Sequence, residues 1–292
     1  QGRPQRPPMR APKAPVSSPH SRACPGHSPN SPEPWPLPHG LSQKEIDDLV
    51  SATLREGKSL YSVFGERLAE LQPDLVLTQG LCDVCAVTPD TVETSLRGVR
   101  CTLPNSCEVL SMNGTSLEGI CTDLRLLGEH TSRQDNAQTL ITEANDRWCA
   151  ISDVVEPARV LLLEWIDPFF SAGHWVPEQA SAAGCVSVIG TASEDSRRLT
   201  VDEIIDANPS HIAVVCCGYG LEQNIKFAQR LYSMEALKDI SALQTEQVWA
   251  FDANSYFSRP TLRIVRGAEL LYEAIHNGCG RSEESMRVLR TT

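Results

Sequence analysis

The chain has 292 residues, 41% hydrophobic and 22% charged, enough for one large domain or two ordinary ones with a real core. A formal net charge of −11 argues against a nucleic-acid partner, because a net negative surface repels a phosphate backbone. No apolar run reaches the roughly 18 residues that a membrane-spanning helix requires.

Residues 1–40 are dense in proline, carry five basic residues (Arg3, Arg6, Arg10, Lys13, Arg22) and have no acid before Glu33. Such a stretch buries too little apolar surface to offset ordering, so it reads as a disordered leader. Its basic, acid-poor character also resembles an organelle transit peptide, although the prolines spoil the amphipathic helix that such peptides use. Order is expected from Ser42, where Ser42-Gln43-Lys44-Glu45 is a capping box ahead of Ile46, Leu49 and Val50 at helical spacing. A helix over about 63–71 stops before Pro73, and Leu75–Thr78 follows as a buried strand. After a turn-rich segment, 108–112 reads as a strand and Thr115–Glu118 as a helix start. A polar-apolar segment from about 132 to 155, free of Gly and Pro, is a candidate spine helix. Strand signals then recur in VLLLEW, VSVIG, IAVVCCG and VWAFD, with helical segments between most of them, as in layered α/β folds.

Two segments share one plan. Glu66 to Thr78 and Asp202 to Val214 each run from an acid at a helix start, through an apolar turn, to a proline seven residues on and then a strand. Their placement on either side of the spine segment suggests two similar lobes with a crevice between them, a usual place for a ligand.

The stretch Leu161–Glu178, LLLEWIDPFFSAGHWVPE, concentrates rings: Trp165, Phe169, Phe170 and Trp175 fall within eleven positions of a chain that is 5% aromatic overall. Two readings stay open, a binding rim and a buried loop whose rings fill core. Eleven cysteines, odd in number and without repeated spacing, favour reduced core thiols over a disulfide scaffold in a chain of this length. Cys82 and Cys85 have the CxxC spacing of redox and metal sites, but zinc wants four ligands and no second pair accompanies them, so they are weak candidates. No nucleophile elbow, P-loop or complete dinucleotide fingerprint is present, and the chain reads as a non-enzyme.

Taken together, LQPDLVLTQGLCDVCAV (71–87), LLLEWIDPFFSAGHWVPE, DSRRLTVDEIIDANPSHI, CCGYGLE (216–222) and YFSRPTLRIVRGAELL (256–271) resemble the cobalamin-binding branch of the substrate-binding proteins of ABC importers, an iron-siderophore/cobalamin type, over about residues 41–276. The resemblance implies an α/β fold of two lobes joined by one long helix, with a ligand cleft between the lobes. The expected boundaries are 1–40 leader, 41–130 first lobe, 131–157 linking helix, 158–277 second lobe and 278–292 flexible tail. It implies a cobalamin or related corrinoid or tetrapyrrole as non-covalent ligand, held by Gln79, Trp165, Phe170, His174, Trp175, Tyr256, Phe257 and Arg259. An aspartate of one family member falls at Ser255 here, with Asp252 nearby. Glu66 and Asp202 match the acids, one per lobe, that dock on a permease, and a monomer is expected. The family begins with a strand-turn-helix unit where this chain carries its leader, so the first lobe is expected to be incomplete. That leaves a second reading, a degenerate binding fold kept as a structural or interaction subunit. The family is extracytoplasmic, yet no signal peptide is recognisable, which keeps cytoplasm and organelle open.

Overall fold

The computed structural model describes residues 40–56, 60, 65–80, 107–151, 154, 156–278 and 283–291. In chain order these form α1 (Gln43–Arg55), α2 (Gly65–Leu71), β1 (Leu75–Gln79), β2 (Glu108–Met112), α3 (Leu117–His130) and α4 (Gln134–Cys149). Then come β3 (Ala158–Ile166), β4 (Phe169–Ser171), α5 (Val176–Ala182), β5 (Cys185–Ser187), β6 (Arg197–Arg198), α6 (Val201–Ala207) and β7 (His211–Val214). The chain continues through α7 (Leu221–Tyr232), a 3-10 turn (Glu235–Leu237), α8 (Ser241–Gln244), β8 (Val248–Phe251), α9 (Ala253–Tyr256), α10 (Ile264–Asn277) and β9 (Ser285–Arg287).

The expected two-lobed α/β organisation is present. β1 and β2 pair in parallel, Leu75 opposite Glu108 through Gln79 opposite Met112, as the sheet of the first lobe. The second lobe carries a seven-stranded mixed sheet in the order β6-β4-β3-β7-β8-β9, with β5 also on β3. β3, β7 and β8 run parallel, while β4 returns antiparallel along the end of β3. Both copies of the repeated plan fold alike: α2 leads through Pro73 into β1, and α6 through Pro209 into β7.

The apolar run in β3 follows from burial on both faces. Val160 and Leu162 point to one side, with Trp249 and Phe251 of β8, against Ile264, Leu270 and Leu271 of α10 and Ile120 of α3. Leu161 and Leu163 point to the other, with Ile212, Val214 and Val248, against Phe227 and Leu231 of α7 and Ile204 of α6. Side chains alternate with period two along each strand, so a one-residue slip would exchange the two cores wholesale.

Two expectations require correction. The linking helix does not fill 131–157. α3 ends at His130, Ser132 takes a left-handed φ of 55°, and α4 runs only from 134 to 149. The two helices pack so closely at the bend that a Cβ on Gly128 would lie 2.8 Å from that of Ala137. The tail at 278–292 is not a free end either: β9 pairs antiparallel with β8, Ser285 opposite Phe251, and Val288 is buried. Arg266 of α10 anchors the approach to it, placing Nη2 2.7 Å from Glu284 and Nη1 2.7 Å from Glu273.

His211, at the N-terminal end of β7, is held below its ordinary pKa of 6.5 by burial first, then by His276 and Arg287. The unfolded chain therefore takes up a proton that the folded chain resists. This contribution is fully present above the unfolded value and is lost as pH falls below it. We predict that the wild-type melting temperature falls between pH 7 and pH 5, and that His211→Gln shows a smaller fall; equal slopes in scanning calorimetry would refute the assignment.

Candidate functional site

In an open α/β sheet the polar, chemically useful positions collect where the parallel strands end at their carboxyl side, since the strand interiors are spent on the core. Here those ends are the residues after β3, β7 and β8.

β3 delivers Glu164, Trp165, Ile166 and Asp167, and a cis Asp167-Pro168 bond turns the chain into β4. On β4 Phe169 is buried and Phe170 half-buried, the alternation of a strand with one face on the core. Phe170 meets Trp165 edge to face at 6.4 Å between centroids, and the Arg198 guanidinium lies 5.3 Å over its ring. Each of these contacts is a favourable use of the ring quadrupole. Arg198 also reaches Asp47 of α1 at 2.6 Å, and Asp167 pairs with Arg230 at 3.2 Å. Glu164 accepts a hydrogen bond from the Ser196 hydroxyl.

The loop after β4 is fixed by backbone geometry. A Cβ at Gly173 would come within 2.5 Å of main-chain atoms of Asp195 and Ser196, so only glycine fits. Next to it His174 adopts φ 54° and exchanges backbone hydrogen bonds with the 193–194 segment, its N–H donating to Glu194 O and its carbonyl accepting from Ser193 N. Its Nε2 lies 3.2 Å from Asp195 Oδ1 without the alignment of a hydrogen bond.

At the end of β7, Gly218 takes φ 85° and its N–H approaches the Ser258 hydroxyl, while Tyr219 stands edge-on to Phe227. At the end of β8, Asp252 caps α9 by accepting from Ser255 N, and Arg259, exposed, donates to Asn254 Oδ1 at 2.9 Å. Tyr256 is half-buried; its hydroxyl bonds to Glu284, and that contact first, with burial second, raises the phenol above its ordinary range.

Trp175 and Phe257 correct the expectation that they line a gap. They are 5% and 2% exposed, and the indole Nε1 donates to the Phe257 carbonyl at 2.8 Å. Phe257 in turn packs edge to face on Phe251, 5.4 Å away. Both rings belong to the core under α10, where they fix the position of the rim above them. Of the expected ligand residues, the second lobe thus brings Trp165, Phe170, His174, Tyr256 and Arg259 to half-buried or exposed positions at strand ends and adjoining loops. Gln79 ends β1 in the first lobe, half-buried. Asp202 is exposed in the first turn of α6, directly after its Thr200 capping box, and Glu66 is the second residue of α2. Cys82 and Cys85 lie outside the described residues. Among the described residues no group of three His, Cys, Asp or Glu side chains is arranged to hold a metal. A hollow of about 380 Å³ between α4 and α10 lies elsewhere, lined by Tyr272 and by the paired charges Arg147 and Glu269.

Two rim residues carry no signal at the level of motifs. Arg198 is one of two adjacent arginines on a two-residue strand, and only the pairing of Phe170 with Arg198 across β4 and β6 brings it to the aromatic pair. Gln43 reads as the first turn of a capped helix, yet its side chain is 2% exposed. Its Oε1 accepts from Ile166 N and Asp167 N at 3.0 and 3.2 Å.

With this geometry in place, the family described as "Periplasmic binding protein" matches residues 37–254, more than half of the chain. The chain belongs to the periplasmic binding protein family. Solved structures of periplasmic binding proteins share the fold at low identity. A possible iron-binding, periplasmic solute-binding protein from Staphylococcus epidermidis is 15% identical with a TM-score of 0.58, over 80% of this chain and 95% of that one. The periplasmic heme-binding protein RhuT from Roseiflexus sp. RS-1 in apo form is 19% identical with a TM-score of 0.58, over 80% and 94%. The periplasmic vitamin B12 binding protein BtuF of Vibrio cholerae is 18% identical with a TM-score of 0.52, over 72% and 77%. A comparison with curated proteins found no match. The likeness reaches across iron-, heme- and vitamin B12-named proteins rather than to the cobalamin branch alone, and it is a family of binding proteins, not of catalysts.

The different settings of the two tryptophans are open to test. Trp175→Phe, which removes a buried indole N–H and leaves the Phe257 carbonyl without its donor, is expected to cost about 1–3 kcal/mol in urea denaturation. Trp165→Phe, the same change at the half-buried rim, is expected to cost clearly less; the reverse order would show that Trp165 and not Trp175 is the structural ring.

Proposed function

We propose that this periplasmic binding protein is the substrate-binding component of an ABC-type importer and holds a flat macrocycle, a corrinoid or related tetrapyrrole, against the strand-end rim of its second lobe. The observation that supports this best is the half-buried Trp165–Phe170 pair with Arg198 over it, set beside the end of β3. A broad ring system gains from large apolar contact, while a few polar groups fix its orientation. Removing about 300 Å² of apolar ligand surface from water at roughly 25 cal/mol per Å² supplies several kcal/mol before ordering costs. Tyr256, His174 and Arg259 offer polar contacts from the same lobe, and Gln79 from the other. Trp175 and Phe257 act beneath them as supports.

Glu66 and Asp202, each at the start of a helix that leads through a proline into a strand, are the residues we assign to permease docking. Charge pairs of that kind orient and steer association more than they tighten it. The family implies an extracytoplasmic setting. A second reading, a binding fold kept as an interaction subunit, draws on one observation: the backbone donors at the end of β3 are already taken by Gln43.

Titration of the full chain with hydroxocobalamin and, separately, hemin is expected to quench tryptophan fluorescence saturably with at least one of them. Trp165→Phe should lower the amplitude and weaken binding, whereas Asp202→Ala should leave both unchanged. A folded protein, verified by circular dichroism, that shows no saturable quenching with either probe would favour the second reading.

A further inference from the structure

α1 sits on the rim in an unusual way. Its apolar residues Ile46, Leu49 and Val50 are only half-buried and Leu54 is exposed, while the one residue of the helix that is fully buried is the polar Gln43. Gln43 Oε1 accepts from both Ile166 N and Asp167 N, and the side chain lies beside the Cys216 thiol at the end of β7. One turn on, the Asp47 carboxylate holds Arg198, the guanidinium that covers Phe170. An amide carbonyl and a carboxylate therefore occupy three donors at the edge of the aromatic pair. Those are the acceptor groups carried on the fringe of a corrinoid or a propionate-bearing tetrapyrrole.

The attachment is built to be reversible. Ile46, Leu49 and Val50 give it partial apolar support, Leu54 is exposed and no apolar side chain of α1 is buried fully, the kind of packing that opens locally more readily than a core helix. Gln43 Nε2 is buried with no partner better than the Cys216 thiol, a weak acceptor, which offsets part of what the Oε1 contacts gain. The helix also has local supports of its own, a capping box between Ser42 and Glu45 and a Lys44–Asp48 pair at 2.7 Å, which favour the helical form whether or not it touches the rim.

We propose that Ile166 N, Asp167 N and Arg198 form an acceptor-binding subsite for the amide or carboxylate fringe of the ligand, and that α1 fills it in cis through Gln43 and Asp47 until a ligand displaces it. This rests on the functional reading above and adds to it the polar subsite and its built-in competitor. Releasing a competitor raises apparent affinity by the fraction of binding-competent protein recovered.

The test uses the full chain carrying Gln43→Ala together with Asp47→Ala, with Gln43→Glu as the conservative variant that keeps an acceptor in place and Asp47→Asn as the milder one if the double variant is unstable. Hydrogen exchange at Ile166 and Asp167 is expected to accelerate about ten-fold in the double variant and little in Gln43→Glu. Binding of hydroxocobalamin or hemin is expected to tighten about five-fold or more in the double variant. Unchanged exchange at those two amides, or affinity that is equal or lower in the double variant, overturns the proposal. If neither probe binds any form, the functional reading fails with its subsite, and the exchange rates still decide whether Gln43 occupies the two donors.

Discussion

The fold depends on a sheet whose central strands are buried on both faces. The central run of β3, Val160–Leu163, and the strands β7 and β8 beside it are spent on one or other of two apolar cores. No polar group can be presented from the middle of such a sheet without loss of packing. The chemistry is therefore displaced to the strand ends, where the chain leaves the sheet at Glu164–Asp167, Cys217–Tyr219 and Asp252–Arg259. The Trp175–Phe257 contact ties the loop after β4 to the third of these exits, so this part of the rim is positioned from the core.

Much of this was legible in the sequence because it is written in period and punctuation. The capping box at Ser42, the prolines at 73 and 209 and the apolar runs of β3, β7 and β8 are local signals, and each became the element it announced. The linking helix is shorter than its expected span at both ends, starting only after Ser132 in a left-handed conformation and stopping at Cys149, with neither Gly nor Pro to mark either boundary. The tail strand has no apolar alternation strong enough to announce it, and β9 exists because β8 offers it an open edge. Direction was the hardest property to read. An aromatic cluster says that rings matter, but which ring faces inward is decided by pairing, and Phe169 and Phe170, adjacent in the chain, went opposite ways. Trp175 was drawn inward by a carbonyl 82 residues away.

The two lobes are unequal among the described residues. The second has two complete cores, whereas in the first Leu71, Leu77 and Val109 remain substantially exposed and β1 pairs only with β2. Contacts between the lobes are both apolar and polar: Leu117, Ile120 and Cys121 of α3 join the second lobe's core under α10. Glu178 of α5 accepts from the first N–H of α3, and Gln43 and Asp47 of α1 reach the second lobe's rim.

The pairing of β9 with β8 has a bearing on how the molecule is made. Until residues 285–287 leave the ribosome, β8 carries a bare row of backbone donors and acceptors along a buried, four-residue apolar strand. Such an edge invites the wrong chain. The strand that closes it is short, ends on Arg287 and is made well after the edge it covers, so nascent protein passes through a stage in which β8 has no guard on that side.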